Sequence, residues 1–450
     1  MRRRRLLLGV MSMGYGKLVS AIVQLAMVPA LATGWGLQLY GQWLLLSAIP
    51  VFLAASDFGF GTAAGNRLIG EVASDDPDGA RVTLQSALAV VLGGSLVVLA
   101  LAMLIIFAIP GHVLEAAGGM AASEARQVLA VLCLFGLVAL QSSLFAAAVR
   151  AAGHFARSTT LDATIQLVEG LAVIAAVWLG YGPMVAACVY LTVRTCGVAG
   201  HVAQARHYAP WLQIGFRQAS RARIRELLRP ALAAMMLPLS QAGYVQGSAL
   251  AVGAAAGAGA VPIFTSLRTL SRVGLQLLMA LNLPILPEFT AEHAKRNTAW
   301  IARATGGIVT LNLIIGLIFA AGLWAFGLPL LAVWTKAAIQ PPQAMITLTA
   351  CALIASTLWN PLSNLLLAVN RHEGFTYIFI VAAAVATGLT YGLVGRIGIT
   401  GAAVAGLALD LTMAITVLVV IRRVTGSIPI GLSGVAWALP LRWRRSTRPD

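Results

Sequence analysis

An all-α integral membrane protein of about twelve transmembrane helices, built as two six-helix bundles, is what this sequence predicts. Three observations carry that reading. Apolar residues make up 59% of the chain and charged residues only 10%, whereas a soluble domain is about one quarter charged. Mean hydropathy is +0.86. Basic residues fall almost wholly in every second gap between apolar stretches. The hydrocarbon core is about 30 Å thick, so a span needs roughly 20 apolar residues. Lipid offers no partner to free backbone groups, and no barrel-type alternation is present, so each span must be a helix.

The first span, 12–34, comes after Arg2, Arg3, Arg4 and Arg5. Lys17 and Gln24 interrupt its apolar run and no secretory cleavage site is found beyond it, which predicts a retained helix. Lys17 is near enough to the inner helix end to snorkel; a place in a cavity wall is the alternative. Span two, 42–64, holds Asp57 in SDFGFGTAAGNR. Those glycines allow close helix approach or local unwinding, so Asp57 suits either a helix-packing hydrogen bond or a cavity or ion site. Spans three and four are 83–109 and 128–149. Spans five and six, 159–180 and 183–203, place Glu169 and Arg194 at similar depth, as an internal ion pair would be; Asp162 lies nearer a helix end.

The longest polar insertion comes next, with WLQIGFRQASRARIRELLRP. Trp211, Leu212, Ile214 and Phe216 precede a basic helical pattern, which predicts a segment on the inner membrane surface. It divides the chain into an N-terminal bundle, 1–205, a basic cytoplasmic or interfacial linker, 206–229, a C-terminal bundle, 230–424, and a basic tail, 425–450. Six spans in each half give both halves one orientation, related by an axis along the membrane normal.

Span seven is 230–251, and span eight, 258–285, carries Arg268 and Arg272. Four residues apart, they share a helix face. They lie roughly 15–21 Å into the span at about 1.5 Å per residue, too deep for easy snorkelling. Buried charge costs about 2.5–3.5 kcal/mol on insertion scales. Two readings are open: a cationic cavity wall binding phosphate oxygens bidentately, or an internal ion pair with Asp57, Asp410 or Glu169. Spans nine to twelve are 300–325, 343–368, 374–394 and 399–421. Asp410 in the last is a candidate for proton or sodium coupling, or a buried partner for an arginine. The apolar piece Ile428 to Leu441 is too short to span and reads as an interfacial anchor.

With the N-terminus in the cytoplasm, 24 basic residues face inward and three (Arg126, Lys336, Arg396) outward, the expected bias of a cytoplasmic-membrane protein with both termini inside. The net charge of +16 then marks a face apposed to anionic lipid; spread over several loops, it does not form a nucleic-acid-binding module. No P-loop, zinc-type histidine pair or nucleophile elbow occurs. Cys133, Cys188, Cys196 and Cys351 lie in apolar segments and form no CxxC. The expectation is a carrier, not an enzyme, with no cofactor and no metal site.

Three stretches bear a family likeness. GYGKLVSAIVQLAMVPALATGWGLQLYGQWLLLSAIPVFLAASDFGFGTAAGNRL at 14–68 has a leading Gly-Lys, a YG between spans and a D-x-G-x-G closing span two. FTSLRTLSRVGLQLLMALNLPILPEFTAEHAKRN at 264–297 has paired arginines and a trailing PE, and GITGAAVAGLALDL at 398–411 forms the start of the last span. In this order they resemble the O-antigen and exopolysaccharide (Wzx-type) polysaccharide flippases of the multidrug/oligosaccharidyl-lipid/polysaccharide (MOP) exporter superfamily. The resemblance implies a V-shaped, MATE-like pair of bundles around a cavity. It implies alternating access and an undecaprenyl-diphosphate-linked oligosaccharide as substrate. It points to Lys17, Arg268 and Arg272 as the residues for diphosphate or acidic sugar. Membrane lipids, a polysaccharide polymerase and export machinery are the implied partners. Drug-exporting relatives carry an acid in the first helix, where this chain has Lys17 and no acid. A cation-coupled drug antiporter and a lipid-II-type peptidoglycan precursor flippase are the alternatives.

Overall fold

The computed structural model describes residues 2–425 apart from 57–58, 117, 283–288, 290–291, 293–294, 296 and 369–372. Asp57, the trailing Pro287 and Glu288, and the tail from Ile428 to Leu441 therefore lie outside the described residues.

The described structure is helical. In chain order the helices are α1 (Arg2–Gly34), α2 (Gly36–Ser56), α3 (Phe60–Ala73), α4 (Pro77–Ala108), α5 (Gly111–Ala116), α6 (Ala122–Ala151), α7 (Phe155–Trp178), α8 (Pro183–Tyr208), α9 (Arg221–Ala256), α10 (Ala260–Asn282), α11 (Thr298–Trp334), α12 (Gln343–Ala368), α13 (Glu373–Ile397) and α14 (Thr400–Thr425). Among the described residues nine helices are long and apolar enough to cross a membrane. The chain is a multi-pass membrane protein.

Expected span two is broken. α2 ends at Ser56 and α3 begins at Phe60, with Gly59 at φ 64° between them. A Cβ at Gly59 would lie 1.9 Å from the Ala231 carbonyl oxygen. Only glycine permits both that backbone conformation and that approach.

The chain divides into two compact units. The first comprises residues 1–253 and 257–262, the second 254–256 and 263–450. Most of α9, the expected opening span of the C-terminal bundle, thus belongs to the first unit. Its Leu227 and Ala231 join a core of α3, α4 and α6 residues that includes Leu68, Leu84 and Leu144, and a Cβ at Gly253 would meet Leu45 of α2. α6 is the central helix of this unit, packed on α2, α3, α4, α7 and α8, while α1 lies along α7. In the second unit α12 packs on α11 and α14, and α13 packs on α14.

The linker packs against the first unit. Pro210–Leu212 forms a single 3-10 turn, and Trp211, Leu212 and Ile214 pack on the first unit's core. Gln85 of α4 clamps the residues beyond this turn. Its Nε2 donates to the Gln213 carbonyl at 2.8 Å and its Oε1 accepts from the Gln218 amide at 2.6 Å. Ser86 Oγ accepts from the Ser220 amide at 2.9 Å. Glu71 Oε1 accepts from Arg67 Nε at 3.0 Å, Thr83 Oγ1 at 3.0 Å and Arg223 Nη1 at 2.8 Å. The cationic start of α9 is tied to α3 and α4 by charge-assisted bonds.

Two helix starts carry side-chain caps. Asp76 accepts from the Gly79 amide at 2.8 Å before α4, and Asn297 accepts from the Trp300 amide at 3.2 Å before α11. Beside the latter cap, hydrogen bonds from Lys295 and Asn297 hold the Glu292 carboxyl below the usual carboxylate range.

Candidate functional site

α10 is the amphipathic helix of the second unit. At 100° per residue, Thr265, Arg268, Thr269, Arg272 and Gln276 fall within a stripe roughly 100° wide. Opposite it, Leu267, Gly274 and Leu278 are buried. A Cβ at Gly274 would touch the ring of Phe319 on α11, so that face is packed. Arg268 is half-buried, its guanidinium 4.9 Å from the Phe264 ring centroid one turn earlier, a cation–π geometry. Arg272 is exposed and makes no ion pair among the described residues. Spacing alone singles out the two arginines. The flanking Thr265, Thr269 and Gln276 carry the same periodic signal and complete a polar strip, in which the Thr269 hydroxyl donates to the Thr265 carbonyl at 2.9 Å.

The carboxylates considered as partners for those arginines are engaged elsewhere or undescribed. Glu169 Oε2 accepts from Arg194 Nη2 at 2.6 Å, across α7 and α8. The Glu169 side chain is buried, and the Arg194 guanidinium lies 5.4 Å from the Phe135 ring centroid. This is the internal pair that matched depth in adjacent spans predicts. Asp410 Oδ1 accepts from the buried Trp359 indole, Nε1 to Oδ1 2.8 Å, joining α14 to α12. Trp359 lies 51 residues from Asp410, and no local sequence pattern announces it. Asp57 lies outside the described residues.

The Glu169–Arg194 pair sits in a longer polar seam between α1, α7 and α8. Ser20 Oγ donates to Gln166 Oε1 at 2.9 Å, and the Tyr15 and Thr164 hydroxyls lie 3.4 Å apart. The fully buried His201 places Nε2 2.8 Å from Asp162 Oδ1. Lys17 belongs to α1 but is exposed, turned away from the face that Val19 and Val23 press against Ala163. Among the described residues no group of His, Cys, Asp and Glu could hold a metal ion.

Solved structures share this architecture. An inward-facing multidrug-resistance MATE transporter of the MOP superfamily superposes with a TM-score of 0.72 at 16% identity, covering 91% of this chain and 95% of its own. A MATE protein in complex with MaD3S gives 0.63 at 16% identity over 94% and 97%. A MOP superfamily transporter from Pyrococcus furiosus Vc1, described by the reversed polarity of its binding pocket, gives 0.64 at 16% identity over 95% and 96%. The fold is that of the MATE transporters. No family model and no curated protein matches the chain. The MATE-fold likeness extends over nearly the whole chain, through both compact units, so α10 and its arginine stripe are part of that fold and not an appendage to it.

Proposed function

We propose that the protein is a flippase that moves a lipid-linked oligosaccharide, an undecaprenyl-diphosphate-linked repeat unit, from the cytoplasmic to the periplasmic leaflet by alternating access. The observation that carries this reading is the polar stripe of α10. Two guanidinium groups four residues apart on one face of α10, at bilayer depth, cannot face acyl chains at low cost. An aqueous, anion-receiving surface meets their needs. Guanidinium recognises diphosphate oxygens through paired hydrogen bonds, and the hydroxyls and amide beside it suit sugar.

Sugar and diphosphate cross hydrocarbon only when sheltered, since each unpaired polar group costs several kcal/mol. The lipid chain needs no shelter. The headgroup therefore travels along the cationic surface while the tail stays in lipid. About two negative charges moving outward gain roughly 4–5 kcal/mol at about 100 mV, inside negative. That is enough to drive export without a coupled ion.

A cation-coupled drug antiporter is the second reading, favoured by the MATE-fold likeness. Against it stands α1, which contains no acid and one lysine. The Pyrococcus furiosus neighbour is described as having a pocket of reversed polarity that suggests a different function for that protein. The two readings separate in vesicles containing the protein and a lipid-linked oligosaccharide. A potassium diffusion potential, inside negative, should speed outward flux at equal pH and sodium on both sides. Flux that ignores the potential and tracks a proton or sodium gradient sinks the potential-driven mechanism.

A further inference from the structure

α13 and α14 form an antiparallel hairpin turning at Gly398, φ 67°. Near the turn their backbones touch, since a Cβ at Gly401 would lie 2.4 Å from the Leu393 carbonyl carbon. Further from the turn, a groove of about 500 Å³ opens between them. Its floor is Ala386 and Leu409, both buried, and its α13 wall is Tyr377, Val381, Val385 and Leu389, all exposed. From Leu389 to Tyr377 the wall runs twelve residues, about 18 Å at 1.5 Å each. One leaflet of the hydrocarbon core is about 15 Å deep. The groove has the length of a single leaflet-spanning acyl chain.

Charge at one end selects the headgroup. α13 starts and α14 finishes beside the Tyr377 end, and α14 carries Arg422 and Arg423 in its last turn, both exposed. Arg423 lies eleven positions beyond the groove residue Thr412, which returns it to within about 20° of the same helix face. Neither arginine makes an ion pair among the described residues. The acids of these two helices are Glu373, which opens α13, and Asp410, held by Trp359. We infer that this groove is a binding site for an anionic phospholipid of the leaflet facing the arginines, with one acyl chain between α13 and α14 and the phosphate at Arg422 and Arg423. A polyprenyl chain that carries an exported glycan overruns a groove of this length, so the site is distinct from the transport path proposed above.

The test uses the full chain, reconstituted in vesicles of equal phosphatidylglycerol and phosphatidylcholine, extracted gently and studied by native mass spectrometry. Phosphatidylglycerol should be retained well above its bilayer share. Each of Arg422→Gln and Arg423→Gln should weaken that enrichment about fivefold, from the roughly 1 kcal/mol that one basic residue gains at an anionic surface. Ala408→Phe with Thr412→Phe, which fills the groove, should remove the retained lipid. The arginine variants lie on the exposed helix end and keep the test alive should the groove variant misfold. Retention of both lipids in their bilayer ratio, enrichment untouched by the arginine variants, or displacement of phosphatidylglycerol by equimolar undecaprenyl phosphate would each overturn the assignment.

Discussion

The Glu169–Arg194 contact shows how single residues divide the labour in this membrane protein. Both side chains lie between α7 and α8, and the pair closes at 2.6 Å. Removing one partner from a buried pair leaves an uncompensated charge, at a cost of about 3–5 kcal/mol. Arg194→Leu should therefore lower stability by about that much, and Glu169→Gln added to it should restore most of the loss. Thermal unfolding of the three proteins in one detergent checks this. A single variant as stable as wild type would remove the pair from the structural account. This contact was legible in the sequence because two opposite charges sit at equal depth in adjacent spans joined by a short turn. Trp359 beneath Asp410 was not, because its partnership depends on the relative rotation of α12 and α14. The polar neighbours of Arg268 and Arg272 were legible in principle, since Thr265, Thr269 and Gln276 recur at helical spacing.

At the scale of helices, composition made the spans readable and their breaks and docking less so. Among the described residues every expected segment falls on helix, span two on two helices, because the length of an apolar run is set by the bilayer. The break at Gly59 was foreshadowed only by glycines. The docking of the linker was not legible for a physical reason. Trp211, Leu212 and Ile214 ahead of a basic helix give one amphipathic signal whether the apolar side meets lipid or a protein core. Gln85 and Ser86, which decide for the core, lie more than 120 residues earlier in the chain. Close helix approach is the other device at this scale. Gly401→Ala forces a methyl onto the α13 backbone at Leu393, and overpacking of this kind costs about 1–3 kcal/mol. Gly392→Ala meets open space and should be neutral or slightly stabilising, as helix propensity favours alanine by up to about 1 kcal/mol. Unfolding midpoints that move equally for both variants would contradict the close packing of the α13–α14 hairpin.

For the whole molecule, the distribution of charge joins topology to transport. On the topology expected from the sequence, the 24-to-three bias of basic residues sets one face toward anionic lipid, with Arg422 and Arg423 on that face. The few cations at bilayer depth are set apart from it. One is neutralised by Glu169, and two occupy the polar stripe of α10. The fold was legible from composition and charge period. The cargo is inferred from the stripe, since a shared MATE fold at 16% identity is compatible with more than one cargo. The most direct measurement is flux of a lipid-linked oligosaccharide between the leaflets of vesicles containing Arg268→Ala with Arg272→Ala, at a protein level matched to wild type. Loss of two charge-assisted contacts, about 1.5–3 kcal/mol each, predicts a fall of roughly hundredfold or more with the protein still folded in the membrane. Wild-type flux from that double variant would contradict the account.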